Sequence, residues 1–391
     1  MNDKNERNFG EILRKIFEKY SMIIILIVTL LIFQFLTNGI LLRPVNVTNL
    51  VLQNSHILVL AIGMLMVVLL GHVDLSVGSV MAFVGAISAI LMIQKEMSPW
   101  IVIPLCLIIG GIIGAWQGFW IAYVKIPAFI VTLAGLLLFR GLTQYTLKGT
   151  SIANYPEAFN FLSSGYLPNI GDGELHTTSL LIGVAVAILL VATMFSSRKK
   201  KQANLLKVES NASFFTKLAV IVATIIGITY VFSQHNGFPF VMILILILAS
   251  GYTFVTNRTV VGRHIYATGG NYKSAELSGV KTKKVTFWVF VNMGVLSALA
   301  GMILAARLNA ATPQAGNGIE LDALSAVYFG GASTSGGIGT IVGAIVGGLI
   351  IGVLNNGMSI LGVGIDLQQA IRGLILLLAV VIDQYNKRKK G

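Results

Sequence analysis

The sequence predicts an all-α polytopic membrane protein of about 10–12 transmembrane helices, some of them broken by glycine or re-entrant. Three observations carry this. Of 391 residues, 55% are hydrophobic and only 11% charged, too little charge to cover the surface of a soluble chain. Apolar runs of about 18 residues recur from end to end, each long enough to cross roughly 30 Å of hydrocarbon as a helix. The runs are solid blocks, where a β-barrel would show short alternating segments.

A charged leader, residues 1–20, precedes the first apolar run. It looks like a signal-peptide n-region but is followed by no small-residue cleavage site, so the run at 21–37 reads as an anchor. Further spans fall near 51–70, 77–93, 100–122, 127–147, 179–196, 217–234, 239–256, 285–306, 321–335, 338–356 and 366–383. The transmembrane domain therefore covers 21–383, and a basic tail occupies 384–391. Cys106, the single cysteine, lies inside the fourth span, excludes an intrachain disulfide and reads as packing. The connection 148–178 is polar and punctuated by proline and glycine, too short for a core of its own. The segment 257–284 differs from an ordinary loop. Within it "NYKSAELSG" reads as one short helix, with Asn271 as N-cap and Gly279 ending it in a left-handed turn.

The net charge of +13 raises the question of a nucleic-acid partner, and the placement of the charges answers it. The segments 1–20, 123–126, 197–217, 257–284 and 384–391 hold 22 of the 28 Lys and Arg residues. That asymmetry follows the positive-inside rule and puts both termini in the cytoplasm. The runs "SRKKK" (197–201) and "NKRKK" (386–390) are topology anchors beside anionic lipid. No nucleic-acid role is expected.

Two spans, 77–93 and 321–335, look too short, and each abuts a glycine-rich break: "GHVDLSVGS" (71–79) and "GGASTSGGIG" (330–339). Aligning Gly71 with Gly330 pairs Ser76 with Ser335 and Gly78 with Gly337. Paired, glycine-interrupted segments point to broken helices around a transport path. Asp74 is placed to cap a helix starting at Leu75, Ser76 and Ser79 offer hydroxyls, and Gly78 permits close backbone approach. Asp74, Ser76, Gly78, Ser79, Ser335 and Gly337 are therefore the candidate path and gating residues, with Asn309 at the external mouth. For Asp74 an interfacial helix cap is the equal alternative. Arg43 and Arg307 suit an external partner bearing carboxylates, or ordinary interfacial anchoring. Arg140 reads as a snorkelling side chain. Asp366, Gln368, Gln369 and Arg372 cluster at the start of the last span, where Arg372 can pair within the bundle. His72 has no second ligand at metal spacing. No GxxxxGK[ST] motif occurs, so the chain has no P-loop with which to hydrolyse ATP. No catalytic residue, metal or cofactor is expected on the chain.

The runs "GHVDLSVGSVMAFVGAI", "KIPAFIVTLAGLLLFRGL" (125–142), "GRHIYATGGNYKSAELSGVKTKKV" and "GGASTSGGIGTIVGAIVGGLIIGVLNNGMSILG" resemble the permease subunits of bacterial ATP-binding-cassette sugar importers of the ribose/xylose class. The likeness covers about 45–383 and is closest to multiple-monosaccharide, xylose-type permeases. It implies a type II importer fold in the inner membrane and a permease homodimer. It also implies an extracytoplasmic sugar-binding protein and a tandem-cassette ATPase that uses ATP and Mg. The helix at 271–279 then becomes a coupling helix, with Asn271, Lys273, Glu276 and Gly279 serving ATPase contact. The alternatives are a stand-alone secondary transporter or facilitator, and a permease for another small solute such as autoinducer-2, a nucleoside or an amino acid.

Overall fold

A computed structural model describes residues 21–388 apart from 172, 207 and 209. The leader 1–20 and the last tail residues, 389–391, lie outside the described residues. The chain runs through α1 (Ser21–Leu36), α2 (Pro44–Leu69), α3 (Val77–Ala89, prolonged by a π-turn over Ile90–Gln94), α4 (Pro99–Ala122) and α5 (Ala128–Leu147). A short α6 (Glu157–Ser164) follows, then α7 (Thr177–Ala203), α8 (Asn211–Ser233) and α9 (Phe240–Arg258). Next come α10 (Val260–Gly270), α11 (Tyr272–Leu277), α12 (Thr282–Leu308), α13 (Ile319–Phe329), α14 (Ile341–Ile360) and α15 (Ile365–Arg388). Among the described residues nine helices are long and apolar enough to cross a membrane. The all-α polytopic class is thus the observed one.

Local chemistry sets many of the boundaries. Pro44 and Pro99 open α2 and α4 at the first helical position, where the missing N–H has no partner to lose. Thr259, Asn271 and Thr340 cap α10, α11 and α14 through their side-chain oxygens. The core is built on α2, α12 and α14, the most enclosed helices apart from α3, with Leu60, Ile62, Met64, Phe290 and Met293 fully buried. On α4, Gly110, Gly114 and Gly118 form a ridge without side chains, one turn apart. A Cβ on any of them would meet backbone oxygens of α12 at Gly294, Phe290 and Phe287. This small-residue seam lets two membrane helices approach to backbone contact, where van der Waals packing rather than a hydrophobic effect holds them. By contrast α7 and α8 pack chiefly on each other and expose most of their surface.

Three expectations are corrected by these elements. The run 321–335 is not a span. Its helix, α13, has 11 residues, about 16 Å at 1.5 Å per residue, because Gly330 and Gly331 end it early. The run 77–93 is long enough to span after all, since the π-turn carries α3 on to Gln94. The segment 257–284 holds two helices, α10 and α11, rather than one.

The chain also doubles back. Gly301 of α12 lies against Met81 of α3, yet Gly316, past the end of α12, lies against Gly78 in the first turn of α3. The stretch 309–318 therefore re-enters the bundle before α13 begins. A two-residue ladder secures its entry, pairing Ile152 with Ala311 and Ala153 with Ala310.

Candidate functional site

The first break begins where α2 ends at Leu69 and closes at Val77. Asp74 is buried, and one of its carboxylate oxygens accepts both the Ser76 backbone N–H at 2.9 Å and the Ser76 hydroxyl at 2.6 Å. Gln117 of α4 donates its amide to the same Ser76 oxygen at 2.7 Å, and the Ser79 hydroxyl donates to the Ser76 carbonyl at 2.8 Å. The expected cap at Leu75 is therefore corrected: α3 starts two residues later, and Asp74 closes a side-chain turn ahead of it. Ser76 and Ser79 have no exposed surface in this conformation. Their hydroxyls are engaged within the break rather than facing an open path.

The second break meets the first, though not through the residues that align in sequence. The Gly337 N–H donates to the Leu69 carbonyl at 2.8 Å, at the end of α2. Gly78 instead crosses Gly316, where an added Cβ would collide with the Gly316 carbonyl and come within 2.5 Å of the Glu320 carboxylate. Arg140 donates to the Ala315 carbonyl at 2.7 Å. The snorkelling reading of Arg140 is corrected: it holds the re-entrant stretch beside that crossing.

Both breaks touch the elbow between α10 and α11. A Cβ on Gly269 would overlap the Leu69 carbonyl, and one on Gly337 would press on the Gly270 Cα. The Tyr266 hydroxyl of α10 donates to the Gly339 carbonyl at 2.7 Å. Burial pushes the pKa of that hydroxyl up, so it remains a neutral donor. A cavity of about 740 Å³ opens at this end, lined among others by His72, Lys125, Phe129, Asn271, Tyr272 and Ser335. The geometry of α11 follows the sequence reading closely. The Asn271 side chain accepts the Ser274 N–H at 2.9 Å. Gly279, at φ +85°, ends the helix with its N–H on the Glu276 carbonyl and the Val280 N–H on the Ala275 carbonyl, the paired bonds of a Schellman motif. Lys273 and Glu276 are exposed. So are two residues that sequence reasoning missed: Leu277, 90% exposed, and Tyr272. A leucine left bare at a helix end among charges was the available signal.

Asn309, Arg43 and Arg307 lie at the opposite end. Asn309 leaves α12 in a left-handed turn, and its side-chain oxygen accepts the Tyr155 N–H and the Asn160 amide, both at 2.9 Å. It fastens the connection after α5 and the connection after α12 together. Burial raises the pKa of the Tyr155 hydroxyl, which shares a hydrogen bond with Ser88. Arg43 is exposed beside the start of α2, and Arg307 is half-buried in the last turn of α12.

Residues 46–198 and 172–380 match the family described as branched-chain amino acid transport system / permease component. The chain is 39% identical over 370 residues to the xylose transport system permease protein of Haemophilus influenzae, covering 95% of this chain and 97% of that one. Against the Escherichia coli xylose transport system permease protein it is 36% identical, covering 95% and 92%. The ribose import permease protein of Haemophilus influenzae is 33% identical over 99% of both chains. No solved structure matches the chain.

Proposed function

Since the chain belongs to the branched-chain amino acid transport system / permease component family, we propose that it is the permease subunit of an ATP-driven importer of monosaccharides, xylose foremost. Relatives named for xylose transport, at 39% and 36% identity, support a pentose or related aldose over an amino acid as cargo. Arabinose, galactose and glucose share the same hydroxyl-rich chemistry. The chain is a multi-pass protein of the bacterial inner membrane and a transport subunit rather than an enzyme. ATP and Mg are used by a separate, tandem-cassette ATPase chain, and the permease works as a homodimer with both termini cytoplasmic.

One observation carries the mechanism: the Gly269–Gly270 elbow is packed backbone to backbone against both glycine breaks. The ATPase grips α11 through Leu277, Tyr272, Lys273 and Glu276, and closure of its nucleotide sandwich pushes on that helix. The push passes directly to the end of α2 and to the loop 336–339, because no flexible side chain intervenes. Asp74, Ser76 and Gln117 keep the start of α3 rigid, so the breaks act as joints between stiff pieces. Gly78, Ser79, Ser335 and Gly337 then line the path only in the conformation that the push creates. Nucleotide binding has to shift the equilibrium by no more than its differential affinity for the two forms. At the other end Arg43 and Arg307 meet carboxylates of an extracytoplasmic sugar-binding protein, with Asn309 holding the mouth in shape.

Co-reconstitution tests this. Proteoliposomes with the chain, its ATPase and a loaded binding protein should accumulate xylose only with ATP and Mg. Equal uptake with the ATPase omitted would instead establish a stand-alone facilitator.

A further inference from the structure

Asp322 is 2% exposed, on a half-length helix inside the bundle. Its carboxylate lies 3.3 Å from the Arg372 guanidinium of α15, and the Asn355 amide of α14 donates to the same oxygen at 3.3 Å. One acid thus ties three helices at one point. Against α14 the packing is smooth, the Ala326 and Gly330 carbonyls lying on Gly347 and Gly343, which have no side chains, while Leu324 and Val327 pack into the apolar core. Glycine surfaces and apolar contacts are non-directional and fix the lengthwise position of a helix less sharply than an ion pair does. Yet both ends of α13 lead into the contacts described above, Gly316 on Gly78 at one and Gly337 on Leu69 at the other.

Apolar side chains would hold α13 at least as firmly, because a buried ion pair loses to desolvation much of what it gains by attraction. What the pair adds is register. We propose that Asp322 and Arg372 are a positioning pair, an ionic latch that fixes α13 lengthwise between α14 and α15 and thereby seats its first turn at the Gly78 crossing. The consequence for transport rests on the permease reading; the latch itself does not.

The full chain in lipid nanodiscs provides the test, read by amide hydrogen exchange over residues 319–329 and, with ATPase and binding protein present, by xylose uptake. Arg372→Met keeps length and removes charge. It should raise exchange across that segment about tenfold, and lower maximal uptake about tenfold with KM within about twofold. Arg372→Lys should stay within about threefold of the native chain in both, since it retains the charge. Asp322→Arg with Arg372→Asp should recover more than either change alone. Arg372→Met matching the native exchange pattern overturns the latch, as does Arg372→Lys behaving like Arg372→Met. A native chain with no ATP-dependent uptake sinks the transport reading, and the exchange measurement still decides the latch.

Discussion

At Gly78 the structure leaves room for a hydrogen atom and nothing larger. Gly78→Val forces the Gly316 backbone away, and overpacking of this kind costs about 1–3 kcal/mol. We expect xylose uptake to fall at least about tenfold at equal amounts of protein in the membrane; native uptake would remove Gly78 from the mechanism. Asp74 separates charge from hydrogen bonding. Asp74→Asn keeps an acceptor for the Ser76 N–H and hydroxyl, whereas Asp74→Ala leaves both donors without their partner. A buried unsatisfied donor costs about 1–3 kcal/mol, so the alanine variant should lose clearly more thermal stability and uptake than the asparagine variant. Asp74 and Gly78 were legible because a soft polar stretch is out of place in so apolar a chain. Gln117 was not, since nothing in the sequence links a glutamine inside an apolar helix to a serine 41 positions earlier. Arg140 was misread for the same reason: its acceptor is a carbonyl on a stretch whose re-entry is a tertiary fact.

Among the elements, α11 was the most legible, because its two ends are specified by local chemistry that needs no tertiary partner. Asn271 and Gly279 each satisfy backbone groups a few residues away. Gly279→Val places a branched side chain at φ +85°, a conformation open to glycine and strained for valine. It should weaken co-purification with the ATPase while leaving the membrane domain's thermal transition in place. Leu277→Asp should do the same by putting a charge in place of the exposed apolar side chain proposed to seat in the ATPase; undiminished co-purification of both variants would place the ATPase contact elsewhere. The second break was legible in position but not in pairing. Residues 321–335 are apolar enough to look like a span, and only the packing of Gly330 and Gly343 reveals that the helix stops at Phe329. The glycine seam of α4 at 110, 114 and 118 is a four-residue repeat that can be read directly, yet its partner on α12 cannot.

On the scale of the whole molecule, hydropathy alone delivered the class and most spans, because a bilayer leaves few ways to satisfy a backbone. What it could not deliver is the convergence of three distant glycine sites, Gly71, Gly269–Gly270 and Gly336–Gly337, at one end of the bundle. Such contacts involve backbone only and leave no trace in side-chain pattern. In the proposed mechanism they are where force applied at α11 reaches the joints of the path. The most direct test is the ratio of xylose imported to ATP hydrolysed in proteoliposomes carrying Gly269→Ala. The exposed face of α11 is unaltered by that change, so the ATPase should still assemble and hydrolyse ATP, while uptake should fall at least about tenfold. An unchanged ratio would contradict the account, because the elbow would then carry no part of the push.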